Sequence, residues 1–244
     1  MSDAFYIGYK DRAPRSLVRF LTVTVGLLLI VAVTVALTWS STQPEPADGV
    51  YEYGDVSEWT GTLVQATVPM LVTDDGRAIL LAGPVKGLPD GVEEWIGMRV
   101  SLQATRIYRD DILMLEVVAG SIQDAAGTAA DWSPGPRDST PVTLTGRIVD
   151  SKCWLGVMNP GEGTVHRACA RLCIQGGLPA MLLYRHDDGT AGHALISLPD
   201  GRPFPERLLS YVARPVRLQG VLGRIPGASF DRLMLDEASL EILD

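Results

Sequence analysis

His166, Cys169 and Cys173 stand at i, i+3 and i+7 in a run that the sequence predicts to be helical, Val165 to Gln175. At about 100° per residue they lie within about 60° of one another, so they form one stripe. Thr164 is a suitable N-cap for that helix and Gly176-Gly177 a suitable stop. Cys153 precedes them at the start of a loop that can fold back over the stripe. Three thiolates and one imidazole make a tetrahedral ligand set suited to zinc. Copper(I) also suits thiolate donors, with Met158 near enough in sequence to add a soft ligand, and an iron–sulfur cluster accepts the same Cys3His donors.

The same residues allow two other chemistries. In an oxidising compartment cysteines pair. Cys169 and Cys173 are poorly placed to pair with each other: one helical turn holds their Cβ atoms about 6 Å apart, against about 3.8 Å in a disulfide. Cys153 with either helix cysteine is easier and leaves one thiol over. Near His166 and Arg167 that thiol can act in thiol–disulfide exchange. Alternatively a Cys153 disulfide simply braces the loop, with the third cysteine buried as a small hydrophobe.

These are all the cysteines of the 244-residue chain, and they fall in an insert, about residues 150–177, within one copy of an internal repeat. The first copy offers Thr60-Gly61-Thr62-Leu63-Val64, then Val68-Pro69-Met70-Leu71, Asp74-Asp75-Gly76 and Leu88-Pro89-Asp90-Gly91. It closes with Arg99-Val100-Ser101-Leu102-Gln103 and Leu113-Met114-Leu115-Glu116. The second offers Thr145-Gly146-Arg147-Ile148-Val149, then Pro179-Ala180-Met181-Leu182, Asp187-Asp188-Gly189 and Leu198-Pro199-Asp200-Gly201. It closes with Val216-Arg217-Leu218-Gln219 and Leu233-Met234-Leu235-Asp236. Between its first two landmarks the second copy carries roughly two dozen extra residues, enough for a loop, a short helix and a turn. The first copy has no Cys or His, so it reads as a spacer or docking module, and the insert reads as separable from the scaffold that carries it.

Each copy predicts short alternating strands with a helical turn before the last two, at Glu93 to Gly97 and at Pro205 to Val212. The expected fold is therefore mainly β: an N-terminal transmembrane helix followed by two repeated small OB-like barrels, with a sandwich as the alternative. The expected boundaries are a cytoplasmic N-terminus at 1–19, a transmembrane helix at 20–39, a polar tether at 40–54 and a first barrel at 55–123. A linker rich in Ala, Gly, Pro and Ser follows at 124–141, then the second barrel at 142–244.

Phe20 to Trp39 contains no charged residue, and twenty residues at helical rise span about 30 Å, the thickness of a bilayer core. Lys10, Arg12, Arg15 and Arg19 precede the block, while Glu45, Asp48, Glu52 and Asp55 follow it. The positive-inside rule then keeps the N-terminus in the cytoplasm and exports the bulk of the chain. A cleaved signal peptide is the competing reading. The block is longer than the usual 7–15 residues of such a peptide and Thr38-Trp39-Ser40 is a poor cleavage site.

A net charge of −8, with no basic run beyond the first twenty residues, argues against nucleic acid as a partner. There is no Walker loop, no G-x-S-x-G, no dinucleotide fingerprint and no C-x-x-C-H haem-attachment motif, so a binding protein is expected rather than an enzyme. His186 falls in a predicted turn; His193 lies in an alternating strand that can face the cysteines. Asp74, Asp75, Asp187 and Asp188 recur at equivalent hairpin turns, which points to turn geometry rather than acid–base work.

The stretch Gly146-Arg147-Ile148-Val149-Asp150-Ser151-Lys152-Cys153, followed by His166-x-x-Cys169-x-x-x-Cys173-Ile174-x-x-Gly177, resembles a pattern in exported bacterial proteins of unassigned function. These carry a G-x-[IV]-x-D-x-x-C strand end, a C-x-x-x-C helix and a small β-barrel. The resemblance covers roughly the C-terminal hundred residues of the chain and implies a bacterial envelope location with a cysteine-centred site. The expectation is thus a protein of the bacterial cytoplasmic membrane with periplasmic domains. It holds a metal through Cys153, His166, Cys169 and Cys173 and is accessory to a membrane redox or metal-handling complex. A thiol–disulfide oxidoreductase or redox sensor, and a structural or assembly subunit, are the alternatives.

Overall fold

The computed structural model describes residues 13–42, 49–133, 135, 137–186 and 188–243. It divides into two compact units, an N-terminal helix and a β-rich body. Helix α1, Arg15–Thr42, spans 28 residues with a mean hydropathy of 2.7 in its most apolar window, and none of its residues is buried. It extends beyond both ends of the apolar block and takes in Arg15 and Arg19. The hydroxyls of Thr22, Thr34 and Thr38 donate to the carbonyls of Val18, Ile30 and Thr34 at 2.7–2.8 Å. This back-bonding satisfies polar groups that an apolar medium would leave unpaired. Length and composition suit a membrane anchor or a signal sequence.

The body contains two five-stranded rings of one design. In the first, β1 (Val50–Gln65), β2 (Pro69–Thr73), β3 (Ala78–Ala82), β4 (Arg99–Arg109) and β5 (Ile112–Val117) are ordered β1-β2-β3-β5-β4, and β1 pairs with β4 to close the ring. A short β6 (Gln123–Asp124) pairs with β4 as well. In the second, β7 (Arg137–Asp150), β8 (Ala180–Arg185), β9 (Ala191–Ser197), β10 (Pro215–Arg224) and β11 (Asp231–Ile242) form a closed barrel in the equivalent order. The single parallel pairing recurs too, β3 with β5 and β9 with β11, and a 3-10 turn precedes β4 (Val92–Trp95) and β10 (Glu206–Tyr211).

The repeated Thr-Gly has a steric cause. A Cβ on Gly61 would run into the Val72 carbonyl of β2, and one on Gly146 into the Leu183 carbonyl of β8. Both strands need a bare backbone where the first hairpin closes in on them.

Strand β1 begins inside the segment expected to be tether, and β7 inside the expected linker. Val50 and Tyr51 pair with Tyr108 and Ile107, before a bulge that resumes at Val56. Arg137 pairs with Arg224. Most side chains at the start of β1 and β7 are exposed, so those stretches lack the apolar alternation that marks a strand. They are strands because β4 and β10 run long enough to offer them partners.

The insert is not an appendage, contrary to the sequence expectation. One hydrophobic cluster joins Leu80, Ile107 and Met114 of the first ring to Met181 and Leu195 of the second through Cys153, Trp154, Leu155, Cys173 and Leu178. The first copy is accordingly more than a spacer, since its core is continuous with the insert. Where helix α2 (Arg167–Gln175) ends, the Leu88 N–H donates to the Gly176 carbonyl at 3.3 Å, and a Cβ on Gly176 would collide with the Lys86 carbonyl. Gly176→Ala is expected to destabilise the chain by about 1–3 kcal/mol through forced separation of the two backbones. Denaturant unfolding beside Gly135→Ala, whose Cβ meets nothing closer than 3.7 Å, checks this; equal midpoints for the two variants count against a tight seam.

Candidate metal centre

The chain leaves β7 at Asp150 and winds through Ser151 and Lys152 into a π-helical turn, Cys153–Val157. Asp150 organises this exit. Its Oδ1 accepts the Cys153 N–H at 2.9 Å, and its Oδ2 lies 3.1 Å from His166 Nε2 with both side chains buried. One carboxylate thereby fixes the first cysteine and the imidazole. His166 ends a 3-10 turn, Thr164–His166, that runs into α2. The expected single helix is thus tightened in its first turn, and Thr164 is the first residue of that turn while Gly163, which has no side chain to cap with, stands at the N-cap. The expected stop is present: the Gly177 N–H donates to the Ile174 carbonyl at 3.0 Å, at a φ of 96° that suits glycine.

The stripe and the loop converge. Donor atoms of Cys153, His166 and Cys169 lie within 4.8 Å of one another, as do those of Asp150, Cys153 and Cys173. Cys153 belongs to both groups and is their hinge. Cys153, Cys173 and His166 are buried, and Cys169 is partly exposed. All three cysteines are free thiols. A hydrogen bond to Cys173 pushes the Cys153 thiol up, reinforced by burial and by Asp150. The same bond draws Cys173 below the ordinary thiol range, against its burial and the Asp150 charge and with help from Lys86.

Lys86 comes from the first ring. Its Nζ donates to Cys169 Sγ at 3.0 Å, and this bond raises the lysine. The loop that carries it is pinned by a second lysine, from the insert. Lys152 Nζ donates to the carbonyls of Gly83 and Val85 at 2.7 and 2.9 Å and pairs with Glu116 Oε2 at 2.5 Å. All three ammonium donors are therefore used. Glu116 Oε1 accepts the Tyr51 hydroxyl at 2.6 Å, and burial followed by that bond pushes the phenol well up.

Asp150, Lys86, Lys152 and Glu116 were not singled out from the sequence. Asp150 is the acidic position of the G-x-[IV]-x-D-x-x-C pattern and Lys152 precedes Cys153, so proximity to that cysteine is the signal the sequence carries for both. Nothing in sequence ties Lys86 or Glu116 to the insert.

The remaining expected residues fall elsewhere. Met158 is 44% exposed at the end of the π turn. His193 packs against Trp154 with the rings tilted by 42° and 4.9 Å between centroids, outside both donor groups, and burial lowers its pKa. His186 is exposed and sets its ring edge to Tyr184 at 5.0 Å. Asp74 and Asp75 pair with Arg99 and Arg77, and Asp188 accepts from Thr190, in keeping with turn roles; Asp187 lies outside the described residues.

Burial orders the thiols by access. Brief alkylation of the native chain with iodoacetamide is expected to label Cys169 first, with Cys153 and Cys173 modified only after unfolding. Peptide mapping by mass spectrometry reads the order, and early labelling of Cys153 contradicts it.

Comparison with protein-family models, with curated proteins and with solved structures finds no match to this chain.

Proposed function

We propose that this chain is a membrane-tethered binding protein whose β-rich body lies outside the bacterial cytoplasmic membrane and holds a metal ion through Cys153, His166, Cys169 and Cys173. The observation that carries the reading is the convergence of these donors in two groups sharing Cys153, one with His166 and the partly exposed Cys169, the other with Cys173 and Asp150. The donor chemistry fits zinc best, with copper(I) and an iron–sulfur cluster as softer alternatives. His166 Nε2 is engaged by Asp150, which leaves Nδ1 for the ion and makes Asp150 the partner that orients the ring. Lys86 beside Cys169 offsets part of the thiolate charge.

The location rests on the apolar helix, the basic residues before it and the acidic ones after it. The strand order, the parallel pair and the interposed helical turn support an OB-like type for both rings. A service role in a membrane redox or metal-handling complex follows from location and ligand type.

The thiol hydrogen bond between Cys153 and Cys173, with a lysine on Cys169, favours thiol–disulfide exchange as the second reading. One experiment separates the two: metal content and free-thiol count of the chain purified without reductant or chelator. Bound metal with three thiols supports the first; a disulfide without metal removes it. Cys153→Ser is expected to lose metal completely, because both donor groups need it. If His166→Ala keeps its metal while the cysteine variants lose theirs, the site is thiolate-only.

A further inference from the structure

A cleft of about 1200 Å³ opens on the outer face of β7, β8 and β9, bounded by the insert at Trp154 and by Arg109 of the first ring. It is separate from the cysteine site, and its floor is set by strand register. Arg147 pairs with Leu183 and Leu183 with His193, giving one row across three strands. Directly opposed side chains on one face sit about 5 Å apart, so guanidinium, isobutyl and imidazole lie side by side. Their neighbours Ile148, Leu182 and Ala194 are buried in the barrel, which turns this row outward. In the next row Arg185 pairs with Ala191.

Each end of the row has a defined chemistry. At one end His193 leans on the buried Trp154, and burial lowers its pKa, so it offers an uncharged ring near neutral pH. The Arg109 guanidinium lies 4.8 Å from the centre of the same indole and its Nε donates to the Trp154 carbonyl at 2.9 Å. At the other end the Arg147 side chain is partly exposed, and its Nε is buried without a hydrogen-bond partner. The nearest acid, Glu162, stands 3.7 Å from Arg147 Nη1, beyond the span of a charged hydrogen bond. Asp110 is the other acid lining the cleft. Three arginines gathered on one face of a chain of net charge −8 mark a place where an anion is favoured. The apolar and imidazole surface between them favours a flat ring.

We infer that this cleft is a second binding site, for a planar aromatic molecule carrying carboxylate groups. The ring lies along Leu183 and His193, and a carboxylate pairs with the Arg147 guanidinium, whose side chain is 41% exposed.

The test is calorimetric titration of the full chain, held in zwitterionic nanodiscs, with naphthalene-2,6-dicarboxylate. Naphthalene-2,6-dimethanol and inorganic phosphate serve as the ring alone and the anion alone. The dicarboxylate is expected to bind with Kd below about 0.1 mM. The diol and phosphate are each expected to bind at least about tenfold more weakly, and Arg147→Gln to lose about tenfold for the dicarboxylate. His193→Ala removes the ring contact and is expected to narrow the gap between dicarboxylate and phosphate. Arg147 is partly exposed, so its variant is expected to fold; should its melting temperature fall, Arg185→Gln on the same face takes its place. Equal affinity of wild type and the arginine variant overturns the inference. So does a diol or phosphate that binds as well as the dicarboxylate, or a dicarboxylate that binds only at millimolar concentration. None of these readouts depends on metal in the cysteine site.

Discussion

A chain lacking residues 151–175, closed with a short turn, should fail to fold cooperatively. Leu155 is fully buried, Trp154 and Cys173 nearly so, and all three belong to the cluster that joins the two rings. Truncating one such leucine costs about 2–5 kcal/mol, and losing a tryptophan about 3–5. Two residues alone therefore rival the whole stability of about 5–15 kcal/mol expected of a domain. The shorter connection returns little, because halving a loop gains only about 0.6 kcal/mol. Circular dichroism on heating checks the outcome. A cooperative transition at the wild-type midpoint would show that the barrels close without the insert. Leu155→Ala is the graded version, with an expected loss of about 2–5 kcal/mol in denaturant unfolding.

Lys152→Met should cost about 3–5 kcal/mol. The methionine fills similar volume but leaves the Glu116 carboxylate with only Tyr51 and strips the Gly83 and Val85 carbonyls of their donor. Side-chain exposures of 3% for Lys152 and 15% for Glu116 put the pair in the range where breaking it leaves an uncompensated charge. Adding Glu116→Gln neutralises that charge and should recover part of the loss, a coupling that a double-mutant cycle measures. A single variant within about 0.5 kcal/mol of wild type would place Lys152 among ordinary surface residues.

Periodicity and repetition made much of this molecule legible. The matched landmarks from Thr60 and from Thr145 foretold two rings of one design, and the spacing from His166 to Cys169 is the part of the stripe that meets Cys153 in one donor group. What stayed hidden was long-range. Lys86 lies 83 residues from Cys169 and Lys152 bonds carbonyls 69 and 67 residues away. A lone lysine in a loop carries no periodic signal, and a buried one reads as solvated until its partners are known. The early starts of β1 and β7 were masked because exposed, polar strands lack alternation. The insert was misjudged as separable because the Cys-free copy shows that one ring needs no insert, yet says nothing about how two rings meet.

Because Lys86 reaches the Cys169 sulfur across the seam between the rings, the docking of the rings and the occupancy of the site form one thermodynamic cycle. Whatever factor ring docking lends to the affinity of the cysteine pocket, occupancy returns to docking, since coupling free energies are reciprocal. An isolated second ring would accordingly report a different affinity from the intact chain. A ligand held at the cysteines would in this way alter how firmly the two rings hold to each other, at a seam whose other contacts it never touches.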